Sequence, residues 1–343
     1  MDFEQYEKCL SILNDIHPDK GTSSIRQHAL SAAGESGHML DIIVPAYNVE
    51  EFIDECIRSI LKQKTGYTYR MIIIDDGSKD STGSLIDKYQ DQENVLIIHQ
   101  RNGGLSAARN AGLDRSDAKY VMFVDSDDCL PANAVEKLLA AAERENADIA
   151  AGSYYNFKKY KWIRKKYLQK EGIVTNVQEL KGHAWAKVIS RSLFEKVQFP
   201  EKYWYEDSIM HQIIYPCAAR KTGISDIVYQ RRNNLNSITH QSAGNPKSLD
   251  SLWVTLRLME DRQLLGMACT DEYYDYLLRQ TVLTNTRLNL LEPEIQKCAF
   301  LIMSYRINEM IPEHHTGREE LKALESAIRD ADFDSFCSYL SEQ

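Results

Sequence analysis

Asp125-Ser126-Asp127-Asp128 follows directly on the apolar run Tyr120-Val121-Met122-Phe123-Val124. Three carboxylates at the end of a buried strand put clustered negative charge on the rim of a sheet, which costs free energy unless a cation neutralises it. Oxygen-only ligands favour Mg²⁺ or Mn²⁺ over zinc, and such ions often hold a diphosphate between protein and substrate. A second acidic strand end is Asp75-Asp76-Gly77-Ser78. Its glycine permits a tight turn, and a carboxylate aimed into a cleft can accept a hydrogen bond from a ring N–H such as uracil N3. The same residues are also ordinary turn formers.

Two further clusters bear on chemistry. Asn102-Gly103-Gly104 runs into Leu105-Ser106-Ala107-Ala108-Arg109-Asn110. A glycine-rich loop that opens a helix exposes N–H groups favourable to an anion, and Arg109, about one turn in, suits a phosphate or the positioning of Asp125. Neither a GxxxxGK[ST] loop nor a GxGxxG fingerprint is present. In Glu206-Asp207, a carboxylate near a metal-held diphosphate can act as general base for an attacking hydroxyl. Acids also favour a helix N-terminus, the plainer reading of this pair.

These clusters need elements to position them. Strands are expected over 41–46, 69–74, 95–99, 120–124 and 149–154, with helices over 50–62, 81–90, 106–113 and 131–146 between them. Four β-α alternations with short connections predict an α/β fold: a doubly wound, mostly parallel, Rossmann-like sheet. Ligands of such sheets bind at the carboxyl ends of the strands, where all the polar clusters lie. Residues 3–17 carry Phe3, Tyr6, Leu10 and Leu13 on one helical face, and 18–38, rich in Ser, Gly and His, read as a linker. From 241 to 343 the chain reads as a helical C-terminal extension. The expected division is 1–38, an α/β domain over 39–240 with a break near 152, and 241–343.

Composition narrows the function classes. The net charge of −9 argues against general nucleic-acid binding. The seven cysteines are scattered and never form CxxC, which fits a reducing, cytoplasmic setting. The opening residues lack a signal-peptide pattern, and no apolar run approaches the roughly 20 residues of a membrane span. One basic stretch, Lys158 to Lys170, interleaves seven Lys and Arg with Tyr160, Trp162, Ile163, Tyr167 and Leu168. It reads as a solvated hairpin, with an anionic acceptor or the inner face of a membrane as the alternative partner. The stripes of the terminal helices suit core packing first, and are also compatible with homo-oligomerisation.

The order of the clusters carries a resemblance. Ile43-Val44-Pro45-Ala46-Tyr47-Asn48, Ile74-Asp75-Asp76-Gly77-Ser78-x-Asp80, Asn102 to Gly112, and Asp125-Ser126-Asp127-Asp128 together resemble the family 2 glycosyltransferases of the GT-A fold. The resemblance covers about 40–236. It implies that Pro45 and Tyr47 frame the nucleotide base, that Asp76 binds uracil, and that Asn102 and Arg109 support the donor site. It gives Asp125 the ribose or donor sugar, and Asp127 the metal, Mn²⁺ or Mg²⁺. Asp207, paired with Glu206 after Trp204-Tyr205, matches the catalytic base, and Trp185 and Lys187 match an element on the acceptor side. Arg231, Arg232, Ser237 and His240 match loosely a segment that closes over the diphosphate; among these Arg232 and Ser237 are the expected donor contacts.

The implied reaction is inverting transfer of one sugar from a UDP-sugar to a hydroxyl of a glycan acceptor, polysaccharide, lipid-linked or protein-linked. The implied halves are 39–152 for the nucleotide sugar and 153–240 for the acceptor. The Gln-x-x-Arg-Trp element of processive members is absent: Gln230-Arg231-Arg232-Asn233-Asn234 stands there instead, which favours single-sugar transfer. Two alternatives share the fold. A nucleotidyltransferase usually carries a Gly-rich, Lys/Arg-bearing loop after the first strand, which Pro45-Ala46-Tyr47-Asn48 is not. A non-catalytic nucleotide-sugar-binding subunit would not need the base and metal positions that this chain retains.

Overall fold

The apolar runs form β1 (Leu40–Ala46), β2 (Tyr69–Asp75), β3 (Val95–His99) and β4 (Tyr120–Phe123) in the computed structural model, which describes residues 2–30, 34, 37–157, 165–234 and 241–342. All four are parallel in the order β3-β2-β1-β4, and their register sets Ala46 beside Asp75, Asp75 beside His99, and Ile43 beside Phe123. The carboxyl ends of the four strands therefore line up along one rim. Alternation along β2 assigns its side chains to two faces. Met71 and Ile73 join a core with α2 (Ile53–Leu61), α3 (Thr82–Asp87) and α5 (Ala134–Glu145), whereas Ile72 and Ile74 pack with Ala108 of α4 (Leu105–Arg115). Helix α4 approaches β1 so closely that a Cβ on Gly112 would stand 2.4 Å from Ile43 Cγ2. Only glycine fits there.

Beyond β4 the sheet becomes mixed. β5 (Ile149–Phe157) is separated from β4 by β8 (Lys187–Ser190), which is antiparallel to both. The long β9 (Lys221–Arg232) lies parallel to β5, and β6 (Lys165–Tyr167) and β7 (Gly172–Ile173) add antiparallel edges. The parallel part thus matches the sequence expectation, and the second half does not follow the simple alternation.

The described residues fall into two compact units. The sheet and its helices belong to Ser24–Lys202 with Ile209–Asn234. The other unit joins Met1–Ser23, Tyr203–Ser208 and Leu235–Gln343. This division differs from the expected one at both ends. The N-terminal helix α1 (Phe3–Ile16) packs on α8 (Pro293–Met310), with the Tyr6 and Tyr305 rings 4.5 Å apart and Cys9 and Cys298 buried. Residues 24–26 are not a linker: Ile25 bridges to Val197, the Arg26 N–H donates to the Lys196 carbonyl at 3.0 Å, and Ser24 is buried. Their partners lie some 170 positions away, beyond the reach of local composition.

In the helical unit α6 (Asp250–Leu264), α7 (Asp271–Leu288) and α8 bury their apolar stripes, and α9 (Lys322–Asp330) and α10 (Phe333–Ser341) complete the described helices. Among the described residues no helix is long and apolar enough to cross a membrane. Residues 158–164 of the basic stretch, and Ser237 and His240, lie outside the described residues.

Candidate active site

β4 delivers Asp125-Ser126-Asp127-Asp128 to the rim, and β9 fixes the turn that follows. The Val124 N–H donates to the Ile43 carbonyl at 3.0 Å and the Asp128 N–H to the Asp125 carbonyl at 2.9 Å. Cys129 and Gln230 exchange two backbone hydrogen bonds. Tyr229, fully buried, then serves both ends of the turn: its hydroxyl accepts from the Asp125 N–H at 3.1 Å and donates to Asp128 Oδ2 at 2.8 Å. Asp128 Oδ1 accepts from the Arg232 N–H at 2.6 Å. Burial and the neighbouring Asp127 and Asp125 push the Asp128 carboxyl well above the usual range. Asp128 is accordingly a brace of the turn, with both oxygens facing protein donors.

Asp125 and Asp127 remain for chemistry. Asp125 keeps 30% of its side chain exposed and takes a 3.0 Å hydrogen bond from Arg109 Nη2. Arg109 is itself buried, its guanidinium 5.2 Å from the Phe199 ring centroid and 6.0 Å from that of Phe123. Of the two tasks open to Arg109, positioning Asp125 is the one its geometry performs. Asp127 Oδ2 accepts from Asn234 Nδ2 at 3.0 Å and the Asp127 carbonyl from Arg232 Nε at 2.7 Å. Burial and the Asp125 charge raise its proton affinity. Desolvated, crowded carboxylates of this sort are relieved by a cation. Among the described residues no group of three or more His, Cys, Asp or Glu could hold a metal. The donor set fits the mode in which one or two carboxylates share an ion with substrate phosphates, as Mg²⁺ commonly binds.

Arg232, expected at the diphosphate, is committed to the turn. It bonds Asp127 O, pairs with Glu55 Oε2 at 2.6 Å, and lies between Phe157 and Phe52 with ring centroids at 4.5 and 5.0 Å. Tyr229, Asn234 and Glu55 were not read from the sequence as site residues. Tyr229 follows Ile227 and Val228 in β9, where nothing local distinguishes a buried bridging hydroxyl from a core aromatic. Replacing Tyr229 by Phe leaves the Asp125 N–H and Asp128 Oδ2 without this partner, and should cost about 1–3 kcal/mol of stability. Urea unfolding with an unchanged midpoint would refute the bridging role.

The second strand end is organised differently from the expectation. The Asp76 carboxylate accepts from the N–H groups of Gly103 and Gly104 at 2.8 Å each and from Gln100 Nε2 at 2.7 Å. Asn102 Nδ2 donates to the Asp76 carbonyl at 3.0 Å. The anion held by the glycine-rich loop at the start of α4 is thus Asp76 itself. These donors fill three of the roughly four lone-pair directions of the carboxylate, leaving one on Oδ2. Gly77, at φ +72°, would place a Cβ 2.8 Å from the Asn102 amide nitrogen, so the Asp75-Asp76-Gly77 turn and the loop close on each other only with glycine.

Pro45 is buried at the end of β1, next to Tyr47, whose ring is 43% exposed. Asn48, at φ +50°, ties this end to the next: its N–H donates to Ser78 Oγ at 3.1 Å and its Oδ1 accepts from the Lys79 N–H at 2.8 Å.

On the acceptor side, Lys187 is 1% exposed and its ammonium donates to the carbonyls of His183 at 2.8 Å and Trp185 at 3.0 Å. It secures the turn around Ala186, which has φ +61°. Trp185 is buried between His183 at 3.3 Å and Tyr229 at 4.5 Å between ring centroids. Both residues line up as internal supports of this turn, the element expected on the acceptor side. Burial and the Lys187 charge hold the His183 imidazole well below its usual pKa, hence neutral.

Glu206 and Asp207 belong to the helical unit. Glu206 is buried, and Tyr205, just before it, has φ +64°. The Trp204 N–H donates to Asp250 Oδ2 at 2.7 Å, and the Ser208 N–H to the Tyr205 carbonyl at 3.0 Å.

Known proteins resemble this chain in sequence and in fold. Residues 41–203 match the family described as Glycosyl transferase family 2. The glycosyltransferase GlyG of Streptococcus pneumoniae serotype 4 is 27% identical over 248 residues, 67% of this chain and 82% of GlyG. GlyA of the same organism is 32% identical over 218 residues, covering 58% of this chain and 31% of its own length. The chain thus spans about a third of GlyA. The poly(ribitol-phosphate) beta-N-acetylglucosaminyltransferase TarP of Staphylococcus aureus is 37% identical over 118 residues, 34% of this chain and 36% of TarP. In fold, S. aureus TarS 1–349 superposes with a TM-score of 0.70 at 20% identity, covering 88% of this chain and 90% of that one. Residues 41–203, with the sheet that they build, carry the domain of glycosyl transferase family 2, on the GT-A fold.

Proposed function

We propose that the chain transfers a single sugar from a UDP-sugar to a hydroxyl of a glycan acceptor, with inversion and with a divalent metal. The observation that carries this reading is the parallel register of β1, β2 and β4, which aligns Tyr47, Asp76 and the Asp125–Asp127 pair along one rim. Tyr47, the exposed aromatic at the end of β1, frames the base together with Pro45. The remaining lone pair of Asp76 accepts the uracil N3–H, while its other three directions hold the loop. Asp125, oriented by Arg109, receives a ribose or sugar hydroxyl. Asp127 is the protein ligand of Mn²⁺ or Mg²⁺. The ion, when bound, neutralises the diphosphate and stabilises UDP as leaving group.

Asp207 takes the proton of the acceptor hydroxyl as that oxygen attacks the anomeric carbon. One displacement inverts the configuration, so a UDP-α-sugar yields a β-linkage. The relatives support the donor class: TarS 1–349 has been solved in complex with UDP-GlcNAc, and TarP is an N-acetylglucosaminyltransferase. A mannosyltransferase from Pyrobaculum calidifontis, with a TM-score of 0.51, has been solved with GDP-Man and Mn²⁺. The test is UDP release by purified protein with Mn²⁺ and a panel of UDP-sugars. One donor is expected to release UDP above the rest, slowly to water even without acceptor; no release from any donor would remove the enzyme reading.

A further inference from the structure

We infer that Arg287, on the helix α7, is a positioning residue for the Glu206–Asp207 pair, so that the C-terminal helices hold the catalytic base in place. The inference rests on the reading of Asp207 as base. Its ground is the clamp on the segment Trp204–Asp207, built entirely inside the helical unit. The Arg287 guanidinium lies 3.7 Å from the centroid of the Tyr205 ring, a cation–π contact at close range. Its Nη1 donates to Ser251 Oγ at 2.8 Å, and Ser251 is fixed in turn by Thr284 at 2.9 Å in the interior of α6 and α7.

On the other side of the same turn, Asp250 Oδ2 accepts from the Trp204 N–H at 2.7 Å and from Lys247 Nζ at 2.6 Å, while Asp250 Oδ1 meets His17 Nε2 at 2.8 Å. Lys247 Nζ also stands 5.5 Å from the Trp204 ring centroid. Between the two clamps, Tyr205 is forced to φ +64°, a left-handed conformation that a bulky side chain adopts only when its surroundings impose it. The turn is therefore not self-supporting. It is held open at one residue before the acid pair.

The charges agree with the contacts. Burial lowers the Arg287 pKa, and the Asp207, Tyr205, Tyr276 and Glu206 groups oppose that shift. A half-buried guanidinium beside two acids has one electrostatic use and one steric use. Its charge attracts those of Glu206 and Asp207, and its flat face fixes the Tyr205 ring, which sets where Glu206 and Asp207 point.

Steady-state kinetics of the full chain test this with the donor identified by UDP release. Arg287→Met is expected to lower kcat by roughly 10- to 100-fold with KM for the donor within about twofold of wild type, because the donor contacts lie on other residues. Arg287→Lys, which restores the charge, should recover part of the loss. Ser251→Ala, which removes the Oγ contacts to Arg287 and Thr284 but leaves the guanidinium, gives a smaller loss of kcat in the same direction and serves if Arg287→Met fails to fold. Wild-type kcat in Arg287→Met, or in Ser251→Ala where the former does not fold, overturns the inference, as does a loss confined to KM. Wild-type turnover in Asp207→Asn would instead remove the base itself, and so separates the two failures.

Discussion

Asp207→Asn is expected to lower sugar transfer by roughly 10²- to 10⁴-fold, the usual contribution of a general base. Asparagine is nearly isosteric with aspartate but cannot take a proton, so the segment Trp204–Ser208 should keep its clamps to Asp250 and Arg287. UDP binding should be unchanged, since no donor contact is assigned to Asp207. Calorimetric titration with UDP and Mn²⁺ beside a turnover assay checks both halves. Full turnover in the variant would take Asp207 out of the mechanism, and lost UDP affinity would make it a binding residue.

Asp127→Asn should separate function from stability in the opposite way. The carboxylate is half-buried next to Asp125, and desolvation first, then the Asp125 charge, raise its pKa. A group of that kind disfavours the folded state at neutral pH, and asparagine retains an oxygen to accept from Asn234 Nδ2. The metal-free variant should therefore melt no lower than wild type. Its Mn²⁺-dependent UDP affinity should fall by about 100-fold, about 2.8 kcal/mol. Unchanged affinity in the presence of Mn²⁺ would undo the metal assignment. A lower melting temperature would mean that Asp127 is one more brace like Asp128. Such a pairing of gained stability with lost function is common where charges are held ready for a ligand.

The sequence made the first half of the fold legible because its signals are local. Runs such as Met71-Ile72-Ile73-Ile74 are buried on both faces and read as strands of a parallel sheet, and those of β2 and β4 end in turns rich in Asp, Gly or Ser. Once these strands are parallel, their acidic ends must share a rim. The long-range features were not legible. β8 enters between β4 and β5 from more than sixty positions downstream of β4, and nothing within β8 announces that antiparallel insertion. Ile25 finds Val197, and α1 finds α8, through contacts that leave no periodic trace.

The same distinction applies to the site residues. By residue type Asp76 and Gly103 can each bind a ligand, Asp76 as an acceptor and the loop as an anion site. The structure shows that much of this capacity is spent between the two, at 2.8 Å. Complementary motifs that meet in space satisfy each other before they satisfy a substrate. Arg232 and Lys187 followed the same course, drawn into carbonyls and carboxylates of the turns they support. Asp125, Asp127 and the exposed Tyr47 ring keep the capacity for ligands.

The most direct measurement is the anomeric configuration of the product by NMR, with the UDP-α-sugar that the release assay selects and an acceptor that it glycosylates. A single displacement assisted by Asp207 is expected to give a β-linkage only. An α-linked product would contradict the inverting mechanism and the role of Asp207 with it.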